Sequence, residues 1–168
     1  MTLRLRPLER DDENEARRAH AELAQDAFAF LLGWEPRDRW ADYLSRLRNR
    51  RRGVQLPADR VPATFLVAEV DGVLVGRTSI RHELNDHLAA VGGHIGYGVR
   101  PGYRRRGYAT EILRQSLIIA RAEGVDRVLL TCEEGNGASA AVIERFGGVL
   151  EDVRIDEDGT RMRRYWIA

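Results

Sequence analysis

The stretch that decides the fold is HIGYGVRPGYRRRGYAT, residues 94–110. Its pattern predicts a β-strand over residues 94–100 and a helix with one apolar stripe over residues 106–123. The turn between them contains a proline, a glycine and three successive arginines. Unpaired amides at the start of such a helix favour a negatively charged group, and Gly107 lets that group approach the backbone closely. The segment therefore predicts a site for a pyrophosphate or another doubly anionic group.

Two common phosphate motifs do not fit this stretch. The glycines at positions 96 and 98 are followed by Pro101, where the dinucleotide fingerprint has its third glycine. A P-loop needs a lysine directly after Gly107, but Tyr108 stands there. A merely solvated arginine loop is the alternative. The strand–turn–glycine–helix context favours the anion site over that alternative.

The rest of the chain alternates predicted strands and helices. Strands are predicted over residues 2–6, 64–70, 73–80, 127–131, 149–155 and 160–167, and helices over residues 11–26, 36–52 and 137–146. The dipeptide Asp71-Gly72 suits a tight hairpin turn between two of the strands. This order predicts an α/β fold in one domain, residues 1–168, in which helices cover a mixed sheet.

The composition excludes several classes of protein. The chain has 168 residues and 43% hydrophobic residues, which is enough to build a core and excludes a disordered protein. All 27 basic residues are arginines, so a catalytic lysine is excluded. The net charge of +1 argues against a nucleic-acid partner. A single cysteine, Cys132, excludes an internal disulfide and a cysteine-rich zinc site, and we predict no metal.

Charge placement and apolar run length predict a cytoplasmic protein without a membrane partner. The apolar run at residues 27–34 is shorter than a membrane span, and the opening MTLRLRP carries charges where a signal peptide is apolar. A basic cluster, RLRNRRRG at residues 46–53, is interpreted as a solvated helix face. An RNA-binding strip is the alternative interpretation of that cluster, and the balanced net charge argues against it.

Two short motifs resemble those of the GNAT superfamily of N-acetyltransferases. Arg104-x-x-Gly107-x-Ala109 resembles the acyl-CoA-binding signature Q/R-x-x-G-x-G/A. Asn136-x-x-Ser139, which opens a predicted helix after a strand, resembles the Asn-x-x-Ala/Ser element of the same superfamily. The likeness runs along the whole chain. A bacterial subgroup of predicted acetyltransferases is also similar at IRHELND (80–86), GGHIGYGVRP (92–101), TCEEGN (131–136) and RYWI (164–167).

The resemblance implies a V-splayed mixed β-sheet of about six to seven strands, flanked by about four helices. It also implies direct transfer of the acetyl group of acetyl-CoA to the neutral amine of a small molecule, peptide or protein. The partners would be acetyl-CoA and that amine, and a homodimer is kept open. The competing interpretation is a catalytically silent CoA-binding domain that acts as a sensor or scaffold.

The resemblance also assigns residues to the cofactor. The amide near Val99 would face the thioester carbonyl, the amides of residues 105–109 would hold the pyrophosphate, and Asn136 would contact the pantetheine or serve only as a helix cap. The full set of cofactor-binding candidates is Gly98, Val99, Arg100, Arg104, Arg105, Arg106, Gly107, Tyr108, Ala109, Thr110, Asn136 and Ser139.

The catalytic candidates are less well defined. His94 begins the cofactor strand and is the first candidate for the general base, with a structural histidine as the alternative. His82 and Glu83 are further candidates because they follow the hairpin, where the acceptor cleft is expected. Ile143 stands where many members carry a tyrosine that protonates the leaving thiolate, and we expect this position to face the cofactor sulfur. Cys132 is expected to be a buried structural residue.

Overall fold

The computed structural model describes residues 2–168, which form seven strands in two antiparallel sheets. The first sheet has the order β1-β2-β3-β4 and the second has the order β5-β7-β6. The strands are β1 (Arg4–Arg6), β2 (Ala63–Val70), β3 (Val73–Arg81), β4 (Ile95–Val99), β5 (Val128–Glu133), β6 (Val149–Ile155) and β7 (Arg161–Ile167). The α-helices are α1 (Glu13–Ala24), α2 (Trp40–Arg52), α3 (Tyr108–Ala122) and α4 (Gly137–Arg145), and single helical turns lie at Arg10–Asp12, Leu88–Gly92 and Pro101–Tyr103.

Within residues 2–168, backbone hydrogen bonding joins the two sheets where β4 and β5 begin. The backbone N–H of His94 donates to the carbonyl of Leu129 over 2.7 Å, and the N–H of Leu129 donates to Nδ1 of the His94 ring over 2.9 Å. Both strands run away from this contact, and no further pairing joins them in residues 2–168. They therefore diverge toward their carboxyl ends, which confirms the predicted V-splayed sheet. The pairings within each sheet are all antiparallel.

The observed elements agree with the sequence prediction except at some ends. The helix predicted from residue 36 begins at Trp40, because the carboxylate of Asp38 accepts the N–H of Glu35 over 2.8 Å and holds the preceding residues in a turn. The hairpin turn is of the predicted kind, since Asp71 and Gly72 have φ values of 50° and 80°. The strand predicted from residue 94 begins at Ile95.

Helices cover both faces of the first sheet. α3 packs on one face, where the hydroxyl of Ser116 donates to the hydroxyl of Thr78 over 2.9 Å. α1, α2 and the segment between them, residues 25–39, pack on the opposite face. Because side chains alternate along a strand, neighbouring residues of β3 point to different helices. None of the helices within residues 2–168 is both long and apolar enough to span a bilayer.

Candidate active site

A cavity of about 610 Å³ opens where the two arms of the V separate. Its walls are the carboxyl end of β4, the first turns of α3 and α4, and the segment that follows α1. Ten of the cofactor-binding candidates line it, namely Gly98, Val99, Arg104, Arg105, Gly107, Tyr108, Ala109, Thr110, Asn136 and Ser139. The structure thus brings together residues that lie up to about 40 positions apart in the sequence.

One end of the cavity is formed by backbone amides. Gly107 precedes α3 in the left-handed conformation, with φ of 81°, and no side chain caps the helix. The N–H of Glu111 makes the first helical bond, to the carbonyl of Gly107, so the amides of residues 108–110 have no helical partner. No atom lies within 4 Å of a Cβ built on Gly107, which leaves the approach to these amides open. This geometry suits a phosphate group.

The arginines of the loop before α3 differ in their partners. Arg104 donates to the carbonyl of Val99 over 3.2 Å and to the carboxylate of Asp26 over 2.9 Å. Arg105 is exposed and lines the cavity. Arg106 lies over the ring of Tyr103, 5.5 Å from its centroid, and does not line this cavity. Only part of the predicted positive charge therefore faces the cavity.

The carboxyl end of β4 forms the floor. The N–H of Arg100 donates to the carbonyl of Val75 in β3, over 2.8 Å. Successive amides of a strand point to opposite sides, so the N–H of Val99 points away from β3. β4 is the last strand of its sheet, and Val99 lines the cavity. This amide can donate to an oxygen that gains negative charge there.

The start of α4 closes the cavity on the other side. Oδ1 of Asn136 accepts the N–H of Ser139 over 3.1 Å, so Asn136 caps the helix and also lines the cavity. The hydroxyls of Ser139 and Tyr97 are 3.4 Å apart. Burial is the largest effect on the pKa of Tyr97 and raises it. No sequence motif places Tyr97 here, because an aromatic residue in a strand is usually a packing residue.

Arg100 is the clearest exception among the cofactor-binding candidates. Its side chain is buried and pairs with Glu22 over 2.8 Å and with Glu15 over 3.1 Å. It also donates to the carbonyl of Leu74 over 2.7 Å. The guanidinium fastens α1 to the first sheet and does not line the cavity. Two carboxylates on α1 already hold its side chain, and a role of Arg100 in cofactor binding stays a prediction.

The three predicted base candidates do not line the cavity. His94 is 6% exposed, its Nδ1 accepts the N–H of Leu129, and burial and the charge of Arg81 lower its pKa to about 4. His82 shares a hydrogen bond of 2.8 Å with the hydroxyl of Thr64. Glu83 is exposed. All three lie near the amino end of β4, whereas the cavity lies at its carboxyl end.

The expectation that the side chain of Ile143 faces the cofactor is wrong. Ile143 is fully buried in the core between the second sheet and its helices, whereas its neighbour Val142 lines the cavity. One residue turns a helix by about 100°, which separates the two side chains. Cys132 is 5% exposed, and burial raises the pKa of its thiol. Burial agrees with its expected structural role.

Several cavity residues were not predicted as site residues. They are Leu23, Asp26, Phe28, Tyr97, Tyr103, Ala138 and Val142. Phe28 belongs to the uncharged run at residues 27–34, which carries no motif, and it reaches the cavity by lying on Gly98. A Cβ on Gly98 would be 2.5 Å from the Phe28 ring, so the glycine in β4 is a sign of this close contact.

Comparisons with known proteins show the family to which the chain belongs. Residues 2–149 match the model of the acetyltransferase (GNAT) domain family, so the chain belongs to that family and is an acetyl-CoA-dependent N-acetyltransferase. An acetyltransferase of Yersinia pseudotuberculosis is 27% identical over 133 residues, which cover 76% of this chain and 85% of the relative.

Solved structures share the fold. RimJ of Mycobacterium smegmatis, in complex with CoA-disulfide, has a TM-score of 0.73 and 22% identity, with 98% of this chain and 81% of that chain covered. The putative acetyltransferase yncA of Salmonella typhimurium, with its cofactor acetyl-CoA, has a TM-score of 0.67 and 15% identity, with 99% and 94% covered. The likeness to the bacterial subgroup stays a prediction.

Proposed function

We propose that this enzyme transfers the acetyl group of acetyl-CoA directly to a primary amine of a small molecule or peptide, within the cavity at the V. The observation that carries the proposal is one cavity that holds both the open amides at the start of α3 and the edge of β4 at Val99. The first suits a pyrophosphate and the second suits a carbonyl oxygen that becomes negatively charged.

The residues present fit CoA. Amides of residues 108–110 and the guanidinium of Arg105 would hold the pyrophosphate, because they combine a helix dipole with a planar cation. Ser139 and Ala138 at the start of α4 would lie against the pantetheine. The cavity volume of about 610 Å³ is within the range of small-molecule sites.

The bound thioester supplies an activated acetyl group, and transfer forms a C–N bond, breaks the C–S bond and moves one proton from the amine to sulfur. The amide of Val99 stabilises the charge on the carbonyl oxygen. Among the catalytic candidates none lines the cavity, so the amine enters in its neutral form after it has lost its proton to water. The value of kcat/KM therefore rises with pH up to the pKa of the acceptor amine.

Tyr97 donates the proton that the departing sulfur needs, and the proton that the amine loses restores the phenol through solvent. Its phenol lies at the carboxyl half of β4, lines the cavity and is 3.4 Å from the hydroxyl of Ser139 at the start of α4. The raised pKa keeps the phenol protonated at neutral pH. The proton donor thus comes from β4 in a chain whose residue 143 is a core isoleucine.

A panel of amines tests this function with thiol release as the readout. Acetyl-CoA and CoA binding are measured first by calorimetry, and small primary amines and short peptides are then offered as acceptors. We expect release of thiol that depends on an added amine. CoA binding without release for any acceptor would instead favour a silent CoA-binding domain. A homodimer stays a prediction, to be measured by sedimentation in the same preparations.

A further inference from the structure

The ring of Phe28 lies in the cavity on the face of β4 directly before Val99. Phe28 lines the cavity and is partly exposed. A Cβ built on Gly98 would be 2.5 Å from Cζ of this ring, so the tip of the ring lies on the backbone of β4. Gly98 directly precedes Val99, whose amide is the proposed donor to the thioester carbonyl oxygen. The ring is therefore next to the place where the acyl group reacts.

Arg77 holds this ring from the side of the sheet. It is the direct partner of Gly98 in the register of β3 and β4, and its guanidinium carbon lies 4.2 Å from the centroid of the Phe28 ring. The guanidinium donates three hydrogen bonds, of 2.6, 3.2 and 3.0 Å, to the carbonyls of Ala29, Phe30 and Gly96. A cation that is itself fixed in this way stabilises the aromatic face against which it lies. Arg77 and Gly98 thus define one position for the ring.

The backbone of Phe28 is fixed as well. Its N–H donates to the carbonyl of Leu23 over 3.0 Å, and the N–H of Ala27 donates to the carbonyl of Ala24 over 3.1 Å. Ala27 has a φ of 55°, in the left-handed region. Together these bonds form a Schellman motif at the end of α1. The ring therefore has little freedom to move off β4 when a larger ligand enters the cavity.

In the proposed complex, the acyl chain is directed toward this ring. The pantetheine would lie against Ala138 and Ser139, so the sulfur is on the α4 side of the carbonyl carbon. The carbonyl oxygen points to the amide of Val99 at the edge of β4. These two positions direct the remaining substituent, the acyl chain, toward the opposite face of the sheet. Phe28 lies on that face, because the segment that follows α1 packs there.

We propose that Phe28 determines the specificity for the acyl donor, because its ring limits the donor to short acyl groups such as acetyl. This inference rests on the proposed function and names the acyl class that the same site uses. A longer chain would have to displace the ring from Gly98 and from Arg77. Adding methylene groups to a space with fixed walls weakens binding, because side chains and backbone are forced out of position.

Binding of acyl-CoAs in the absence of an acceptor tests the proposal. Acetyl-CoA, butyryl-CoA and hexanoyl-CoA are titrated by calorimetry into the wild type and into Phe28→Ala. The wild type should bind hexanoyl-CoA at least about tenfold more weakly than acetyl-CoA, with butyryl-CoA between them. Phe28→Ala should reduce the tenfold difference to less than about threefold, because it removes the ring. Equal affinities of the wild type for all three compounds would overturn the proposal.

Two further variants provide the controls. Phe28→Leu keeps an apolar side chain at the position and should give a difference between those of the wild type and Phe28→Ala, so it decides the test if the alanine variant does not fold. Phe146→Ala removes a phenylalanine that is also partly exposed but lies outside the cavity, at the end of α4. It should keep the wild-type difference. An unchanged difference in the folded Phe28 variants would refute the role of the ring.

Turnover separates this inference from the proposed function. With one amine of the panel held constant, kcat/KM for butyryl-CoA relative to acetyl-CoA should rise at least about tenfold in Phe28→Ala and stay unchanged in Phe146→Ala. If Phe28→Ala instead accepts bulkier amines and keeps the ratio of the acyl-CoAs, the proposal fails and acetyl transfer stands. If the acyl-CoAs bind as expected but no amine is acetylated, the acyl limit stands and the transfer function fails. A lack of acetyl-CoA binding would refute both.

Discussion

Two regions of this molecule concentrate positive charge, and they do so in different ways. In the loop before α3, residues 104–106 are consecutive, exposed and next to backbone amides. On the face of the first sheet opposite α3, the charges of Arg50, Arg77 and Arg81, here called the buried arginine group, come from α2 and β3 and are buried or partly buried. Without a ligand, the charges of the loop carry little desolvation free energy, because water solvates them. Within residues 2–168, the buried Nε of Arg81 is withdrawn from solvent and has no hydrogen-bond partner to compensate its burial.

The comparison shows how the same residue type serves different purposes. Arg100 and Arg164 fasten elements together because the chain supplies carboxylates to them. Arg77 does so with three carbonyls. Within residues 2–168, Arg105 forms no salt bridge and lines the cavity, and the buried Nε of Arg81 has no hydrogen-bond partner. The partners of an arginine, more than its exposure, therefore indicate what it does.

The largest effect, a loss of CoA affinity, is expected for a substitution in the loop before α3. Gly107→Glu places a carboxylate where phosphates approach and should weaken CoA binding at least about 100-fold, measured by calorimetry. Gly107→Ala is the matched control. It adds only the strain of a positive φ, about 1 kcal/mol, and should change the affinity less than about fivefold. Unchanged CoA affinity in the glutamate variant would mean that the loop is not the phosphate site.

The loop region was predictable from the sequence, and the buried group was not. The loop is contiguous, so its glycine, arginines and helix start appear as one motif. The buried group depends on which arginine of RLRNRRRG turns inward and on which face of β3 its partners lie. That cluster was interpreted as a solvated helix face, and Arg50 departs from this because it is only partly exposed and its Nε donates to the carbonyl of Val61 over 3.4 Å.

The base candidates lie outside the cavity for a related reason, and their catalytic role stays a prediction. His94 directly precedes the first residue of the cofactor strand, Ile95, but a sequence does not show which end of a strand faces a cavity. The structure places its ring at the apex of the V, where Nδ1 accepts the N–H of Leu129. The prediction that Ile143 faces the cavity was wrong because the exact rotation of α4 depends on its packing against β5. Val142 lines the cavity in its place.

The next largest effect is a pH-dependent loss of stability at His94, whose pKa depends on burial and on the charge of Arg81. In the folded protein the pKa of His94 is lowered to about 4, first by burial and then by Arg81. The unfolded chain binds a proton near pH 6.5, whereas the folded protein does not. Stability is therefore complete above that pH and should fall by about 2 kcal/mol between pH 7.5 and pH 5.

Urea unfolding at the two pH values measures this loss. The pKa of His20 is also lowered by burial, so it contributes in the same direction. His94→Asn keeps an acceptor for Leu129 but no titrating group, and it leaves His20 in place. The loss of stability should shrink in this variant by most of the contribution of His94. An equal loss in both proteins would show that His94 does not titrate as described.

A smaller effect, on kcat, is expected for a substitution of Tyr97. Tyr97→Phe removes the proton donor and should lower kcat about tenfold while CoA affinity stays within twofold. Tyr165→Phe removes a buried phenol that bonds to Glu144 outside the cavity, and it should leave kcat unchanged. If Tyr97→Phe keeps full activity, the thiolate leaves without help from the protein, which a thiol with a pKa of about 8.5 permits.

The smallest effect tests whether the loop region really differs from the buried group in having an acid beside it. Asp26 lines the cavity and pairs with Arg104 over 2.9 Å, and both side chains are about half exposed. Its negative charge opposes a phosphate on the neighbouring amides, while its partner already satisfies the guanidinium. Asp26→Asn should therefore strengthen CoA binding about two- to fourfold at low salt, and the gain should shrink at high salt because exposed charges are screened.

Glu35→Gln is the control, since it removes one carboxylate from an exposed pair with Arg37 outside the cavity and changes the net charge equally. A gain of the same size in both variants would mean that only net charge matters. Weaker binding in Asp26→Asn alone would mean that the pair is needed to position Arg104, which would make the loop as dependent on internal partners as Arg100 is.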